Sequence, residues 1–222
     1  MKKILVALLA LVLLGTGGIA LAVEEPSFEL IEKSGDIEIR EYRAMIVAQT
    51  MVDGDMNTAG NRGFRLIAAF IFGDNLSGSA DGKGEKIAMT APVTMEPDTG
   101  HRTAMNAPVT TEPAAHADAG FQASQWQVEF VMPANYTLAT LPRPRNPAVV
   151  LREVPARRYA VLRFSGLAGQ EKVQQKINEL MQWVRQRGLD AAGAPRLARY
   201  NPPWTLPFLR RNEVMIEIRP LN

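Results

Sequence analysis

Any chemistry in this 222-residue chain must come from a short inventory of side chains. There is no cysteine, and the two histidines are His101 and His116. Thiol catalysis, disulfides and cysteine-based metal sites are therefore excluded. Glu38, Glu41 and Glu213 would make an acid/base pair if the fold brought them together, but nothing in their spacing requires it. Glu38 is read more simply as the polar face of a strand. No His-Glu-x-x-His zinc motif, Gly-x-Ser-x-Gly elbow or glycine-rich phosphate loop occurs. Enzymatic activity is the weaker expectation.

The first 22 residues read as a secretory signal. Lys2 and Lys3 precede an unbroken apolar run, Ile4 to Leu14, and Ala20 to Ala22 fits a small-x-small cleavage pattern. Cleavage after Ala22 and a periplasmic or otherwise exported location are expected. The alternative is an uncleaved anchor, because Ile4 to Val23 has about the ~20-residue length of a membrane span. Membrane contact is expected through that segment alone. Of the 25 basic residues, Lys2 and Lys3 lie in the signal, so the rest of the chain carries 23 basic and 23 acidic residues. That balance removes the electrostatic case for nucleic acid. Residues 23–222 are read as one domain.

Gly84 to Val93 (Gly-Glu-Lys-Ile-Ala-Met-Thr-Ala-Pro-Val) is the most conspicuous stretch, and it is echoed sixteen residues later. Laying Gly84 to Thr99 over Gly100 to Ala115 matches nine positions. The period is too short for a solenoid, so this is one duplicated strand-and-turn unit. Lys86 to Val93 is expected to be a strand, with Arg102 to Val109 an added strand or hairpin arm.

Around it the elements follow from periodicity. Phe28 to Glu32, Ile37 to Arg40 and Ala44 to Val52 read as strands, the second alternating apolar and charged. Asp55 or Asn57 caps a helix running to about Phe72, with Gly73 to end it. Phe64, Ile67, Ala68 and Ile71 share one face of it. Gly60 and Gly63 each cost roughly 1 kcal/mol relative to alanine within a helix, so their side either packs closely on a sheet or receives a flat ligand. Trp126 to Met132, Ala148 to Val154 and Tyr159 to Phe164 are strands. Val173, Ile177, Leu180, Met181 and Val184 mark a long amphipathic helix stopped by Gly188. Arg196 to Tyr200, a proline-rich turn from Asn201 to Pro207 and a strand from Asn212 to Ile218 follow. Each half thus reads strand, strand, helix, strands, and the halves should share a sheet with a helix on each flank.

The chain resembles the SOUL/haem-binding protein family from about Phe28 to Ile218. The resemblance rests on Ile39 to Tyr42, Gly73 to Asn75, Lys86 to Val93, Val128 to Pro133, Phe164 to Gly166, Tyr200 to Pro203 and Arg210 to Val214, in that order. It implies an α+β fold: a distorted antiparallel β-barrel of two pseudo-symmetric halves flanked by two α-helices, as in gyrase-inhibitor-like domains. It also implies non-covalent binding of haem or a related tetrapyrrole in a hydrophobic groove between the first helix and the loop before the last strand. The matching residues are Asn61, Phe64 and Ala68 on the helix and Trp204, Thr205, Leu206 and Phe208 in the loop.

Phe64, Trp204 and Phe208 suit this role, since aromatic faces bring large apolar area to a flat ligand. Met56 offers a polarisable contact. Asn61 and Thr205 stand where a family member is cationic, and Arg62, Arg65, Arg210 and Arg211 are near enough in sequence to substitute. Haem iron is held by His, Cys, Met or Tyr, and no histidine lies on the first helix. Binding is then non-axial, or uses His101 or a methionine such as Met56, or the ligand is not haem. The alternative function is binding of another apolar ligand, or a cell-envelope interaction, in a chain that has lost the haem contacts.

Overall fold

Backbone pairing between the two halves of the chain turns the predicted strands into one large sheet. The computed structural model describes residues 23–77, 83–98 and 121–219. In chain order the elements are β1 (Phe28–Ser34), β2 (Ile37–Tyr42), β3 (Met45–Asp53), α1 (Met56–Ile71), β4 (Asn75–Leu76), β5 (Val93–Pro97) and β6 (Gln125–Val131). Then come β7 (Arg143–Pro144), β8 (Val150–Val154), β9 (Arg157–Ser165), α2 (Gln170–Gln186), β10 (Ala191–Arg199), a 3-10 turn (Pro207–Leu209) and β11 (Arg211–Ile218). Nine strands pair antiparallel in the order β1-β2-β9-β11-β10-β5-β6-β3-β8, while β4 and β7 form a separate short pair.

Apart from β1, that order reads the same way from both ends. β3-β6-β5 of the first half corresponds to β9-β11-β10 of the second, and the halves meet at β5 and β10. Each half lends a strand to the other, β2 to β9 and β8 to β3. The expected pseudo-symmetry is present and swapped. The expected barrel is not: the sheet is open, ending at β1 and β8. β1 is mostly exposed and carries Glu29, Glu32 and Lys33, charges that discourage further edge pairing.

The helices also depart from the expected flanking arrangement, because both cover the same face. Leu162, Val214, Leu197, Met95 and Val128 are partners in register across β9, β11, β10, β5 and β6. All five join one core with Ile67 and Phe70 of α1 and with Val173, Ile177, Leu180, Met181 and Val184 of α2. Those last five are the residues that the sequence spacing placed on one face. The opposite, helix-free face carries a smaller cluster of Tyr42, Tyr159, Val161, Ala198 and Met215.

Asp55 caps α1 as expected, accepting from the backbone N–H groups of Asn57 and Thr58 at 2.9 and 3.0 Å. Gly63 explains the small-residue side. A Cβ there would lie 2.6 to 2.9 Å from the side chain of Val128, so that part of α1 is pressed on β6 and closed to a ligand. Gly63→Ala should therefore destabilise the protein by about 1–3 kcal/mol through overpacking. Chemical denaturation of Gly63→Ala with and without Val128→Ala checks this, and recovery in the double variant is the expected signature.

The segment leading to β5 corrects another expectation. Lys86 to Met89 run as irregular chain and the strand begins at Val93. Ile87 donates its N–H to the carbonyl of Ile71 at the end of α1 (2.8 Å) and buries its side chain in the core. Its backbone thus serves the helix end rather than a sheet ladder. The copy at Arg102 to Val109 lies outside the described residues. Among those residues, no helix is long and apolar enough to cross a membrane.

Candidate ligand groove

The residues expected on α1 divide by burial. Asn61, Arg62 and Arg65 are exposed, and Phe64 is 37% exposed with its ring 5.6 Å from that of Phe130. Arg62 reaches back to the carbonyl of Asp53 at 3.4 Å. Ala68 belongs to the buried side of the helix, and Met56 is 1% exposed inside the core. Burial leaves little of either side chain to a surface ligand. They fall on the side of the 3.6-residue period that meets the sheet, while Phe64 stands at its margin.

The loop from Asn201 to Arg210 presents the other half of the expected set. Trp204 is 82% exposed, Phe208 70%, Leu206 56% and Leu209 61%. So many exposed apolar side chains within one short loop are unusual on a folded surface. The backbone beneath them is held. Arg210 donates Nε to the carbonyl of Thr205 (2.7 Å) and a terminal nitrogen to that of Pro203. Asn201 Oδ1 accepts from the N–H of Arg211 at 2.7 Å. Thr205 and Arg210 thus act through the loop's internal bonds, and the 3-10 turn packs against β9. Arg211 points elsewhere, pairing with Glu25 and Glu213.

One cation beside α1 is absent from the expected set. Arg199, the last residue of β10, donates from one terminal nitrogen to Asn57 Oδ1 on α1 and to the carbonyl of Ala168 before α2, each at 3.2 Å. Its other terminal nitrogen lies 3.4 Å from where a Cβ on Gly60 would stand. A Cβ at Gly60 would meet Arg199 and the Met95 side chain at ordinary contact distance, so this second glycine is not pressed on its neighbours as Gly63 is. Burial pushes the Arg199 guanidinium below its ordinary pKa and nearby Arg210 adds to the effect. Among the described residues Arg199 has no carboxylate partner. An arginine 142 residues from Asn57 gave no local signal of this placement.

The helix-free face offers a competing concavity, lined by Pro26, Tyr42, Met45, Tyr159, Tyr200 and Met215 among others. Its empty space is about 560 Å³ counted out to the mouth. Its charges are satisfied internally: Glu129 accepts from Arg152, Arg196 and Gln127. The glutamates considered for acid/base work are likewise neutralised. Glu213 is wholly buried and takes two bonds from Arg40 (2.9 and 3.1 Å), one from Tyr200 and two from Arg211. Glu38 pairs with Arg40 and Lys33, and Glu41 with Arg158. Burial pushes the Tyr42 hydroxyl up to about 12 against the pull of Arg40, and it pushes Tyr200 up with help from Glu213.

A family model described as SOUL heme-binding protein matches residues 23–217, nearly the whole chain. The chain belongs to this family. Among solved structures, this SOUL chain is similar in fold to the C-terminal domain of EcmrR, with a TM-score of 0.55, 12% identity, and coverage of 83% of this chain and 98% of that one. It is also similar to a hydrolase encoded by lin2189 from Listeria innocua, with a TM-score of 0.51, 12% identity and coverage of 83% and 92%. An uncharacterized conserved protein from the same organism aligns with a TM-score of 0.50 at 12% identity, covering 89% of this chain and 94% of that one. At such identities the likeness concerns architecture, so the word hydrolase carries no activity to this chain. A search of curated protein sequences found no match.

Proposed function

We propose that this SOUL chain binds haem or a related tetrapyrrole non-covalently, in the groove between α1 and the loop from Asn201 to Arg210, as an exported protein freed of its first 22 residues. The observation that carries the reading is the exposed row of Trp204, Leu206, Phe208 and Leu209 on a backbone tied down by Arg210. A pinned loop loses little entropy when a flat ligand covers it. Phe64 supplies an aromatic edge on the helix side, and Asn61, Arg62 and Arg65 form its polar margin.

The residues present fit the ring better than they fit the metal. Met56 of α1 and Met95, which lies against Gly60, are 1% and 4% exposed and too buried to serve as ligands. His101 and His116 lie outside the described residues. A ring held by its apolar face and its edges explains this donor set, with iron along as part of the cargo. Titration with hemin, followed at the Soret band, should give a saturable shift, and metal-free protoporphyrin should bind with a Kd within about tenfold of it. Trp204→Ala and Phe208→Ala should each weaken binding by about tenfold, the worth of one stacked ring. Absence of saturation, or affinity untouched by both substitutions, would falsify the groove.

A further inference from the structure

The backbone of the loop from Asn201 to Arg210 is suited to surroundings poorer in water than an exposed loop ordinarily meets. Pro202, Pro203 and Pro207 carry no N–H to solvate. The N–H groups of Thr205, Leu209 and Arg210 go to the carbonyls of Pro202, Leu206 and Pro207 at 3.0, 2.9 and 3.1 Å. The Arg210 side chain takes up two more carbonyls, those of Thr205 and Pro203. Water would satisfy these groups on a free surface, whereas an apolar phase leaves that to the protein.

The side chains on this backbone fit the same surroundings. Trp204, Leu206, Phe208 and Leu209 are exposed, and Leu167, 59% exposed, joins them from the turn between β9 and α2. That turn is tied alongside, since Ser165 pairs with Arg211 and the carbonyl of Gly166 accepts from the side chain of Asn212 at 3.0 Å. The charge beside them is of one sign. From Arg199 to Arg211 the chain holds three arginines and no acid. Arg211 is neutralised by Glu25 and Glu213, but Arg199 and Arg210 bond to amide and backbone oxygens alone. Apolar side chains beside uncompensated cations match the acyl boundary and anionic headgroups of a membrane, the depth that tryptophan favours.

We infer that this loop, with Leu167, seats the protein on an anionic lipid surface, its aromatic and leucine side chains entering the interface and Arg210 lying at the headgroups. This goes beyond the ligand binding proposed above and needs no tetrapyrrole.

The test uses the chain freed of its first 22 residues, because the apolar run among them would itself bind lipid and every element of the described fold lies between Phe28 and Ile218. Vesicles of phosphatidylcholine are compared with and without phosphatidylglycerol. Co-sedimentation should show binding about 10- to 30-fold tighter to the anionic vesicles, the effect of two cations near a charged surface. That preference should shrink as salt is raised. Trp204→Ala and Phe208→Ala should each weaken binding about tenfold, and thermal melts identify any loss of folding. Brominated acyl chains should quench wild-type tryptophan fluorescence, while Trp204→Phe should bind within about threefold of wild type and lose most of the quenching. Absence of vesicle binding overturns the proposal, including the case in which the loop pairs two copies of the chain and the protein sediments as a dimer. So does binding that both alanine variants keep, that neutral vesicles match, or that leaves Trp204 unquenched. Hemin titration without lipid decides the groove separately: a saturable Soret shift without vesicle binding removes the membrane surface and leaves the groove, and the reverse removes the groove alone.

Discussion

Glu213→Ala is expected to cost about 3 kcal/mol of stability or more, since removing one partner of a buried ion pair leaves the other charge uncompensated. Arg40 is 3% exposed and gives two of its donors to Glu213. Its remaining partners are Glu38 and the Tyr42 hydroxyl, which soften the loss without replacing a bidentate carboxylate. Tyr200 and Arg211 lose an acceptor at the same time. Urea denaturation measures the effect, and the double variant Arg40→Met/Glu213→Leu should recover much of it, because an apolar pair of similar volume needs no solvation. If the single variant unfolds at the wild-type midpoint, the network is not stabilising.

The same carboxylate predicts a pH dependence. Burial raises the Glu213 pKa, but the bonds and charge of Arg40, with Tyr200 and Arg211, outweigh burial and hold it below its ordinary 4.5. A folded-state pKa below the unfolded one contributes stability that is fully present above about pH 4.5 and is lost as pH falls toward the folded value. The wild type should therefore lose stability in acid faster than Glu213→Gln. Equal slopes below pH 5 would show that Glu213 does not carry the acid sensitivity.

Gly84→Ala should cost about 2–3 kcal/mol, near the upper end for overpacking. A Cβ at Gly84 would sit 1.8 Å from the carbonyl oxygen of Gly73 and 2.7 Å from its carbon. Both are backbone atoms, so no side chain can rotate away. Nor can the backbone move freely. Asn75 bonds the carbonyls of Phe70 and Glu85 at 2.8 and 2.7 Å and accepts the N–H of Glu85 at 2.9 Å. Gly73 leaves α1 with φ +117°, a conformation that glycine adopts without strain. The measurement is a denaturation midpoint, and a midpoint shift below that of Gly63→Ala would contradict the ranking. The residue that opens the repeated stretch is thus a packing requirement at the end of α1.

The loop side of the candidate groove came from the family resemblance. Trp204, Leu206 and Phe208 stand in a proline-rich turn, and apolar residues in a turn have nothing local to bury against. All three are exposed in the structure. The helix side was harder to read. Phe64 and Ala68 are one turn apart and share a face by periodicity, yet one is exposed and the other buried. A step of four residues advances about 40° around the helix, which carries Ala68 toward the sheet and leaves Phe64 at the margin. Gly60 and Gly63 looked alike in sequence and are not: Val128 fills the space over one and Arg199 lies over the other.

By itself the sequence determined the local elements, because their causes are local. The apolar period of α2, the Asp55 cap and Gly73 stop of α1, the alternating strands and the doubled strand-helix grammar all appear where the residues predict them. It also excluded thiol chemistry, through the absence of cysteine. Tertiary structure alone decided that the halves exchange β2 and β8, that the sheet stays open and that both helices cover one face. It also decided that a guanidinium from β10 stands between α1 and the approach to α2. These follow from pairing and packing between segments more than a hundred residues apart, and periodicity within a segment cannot express them.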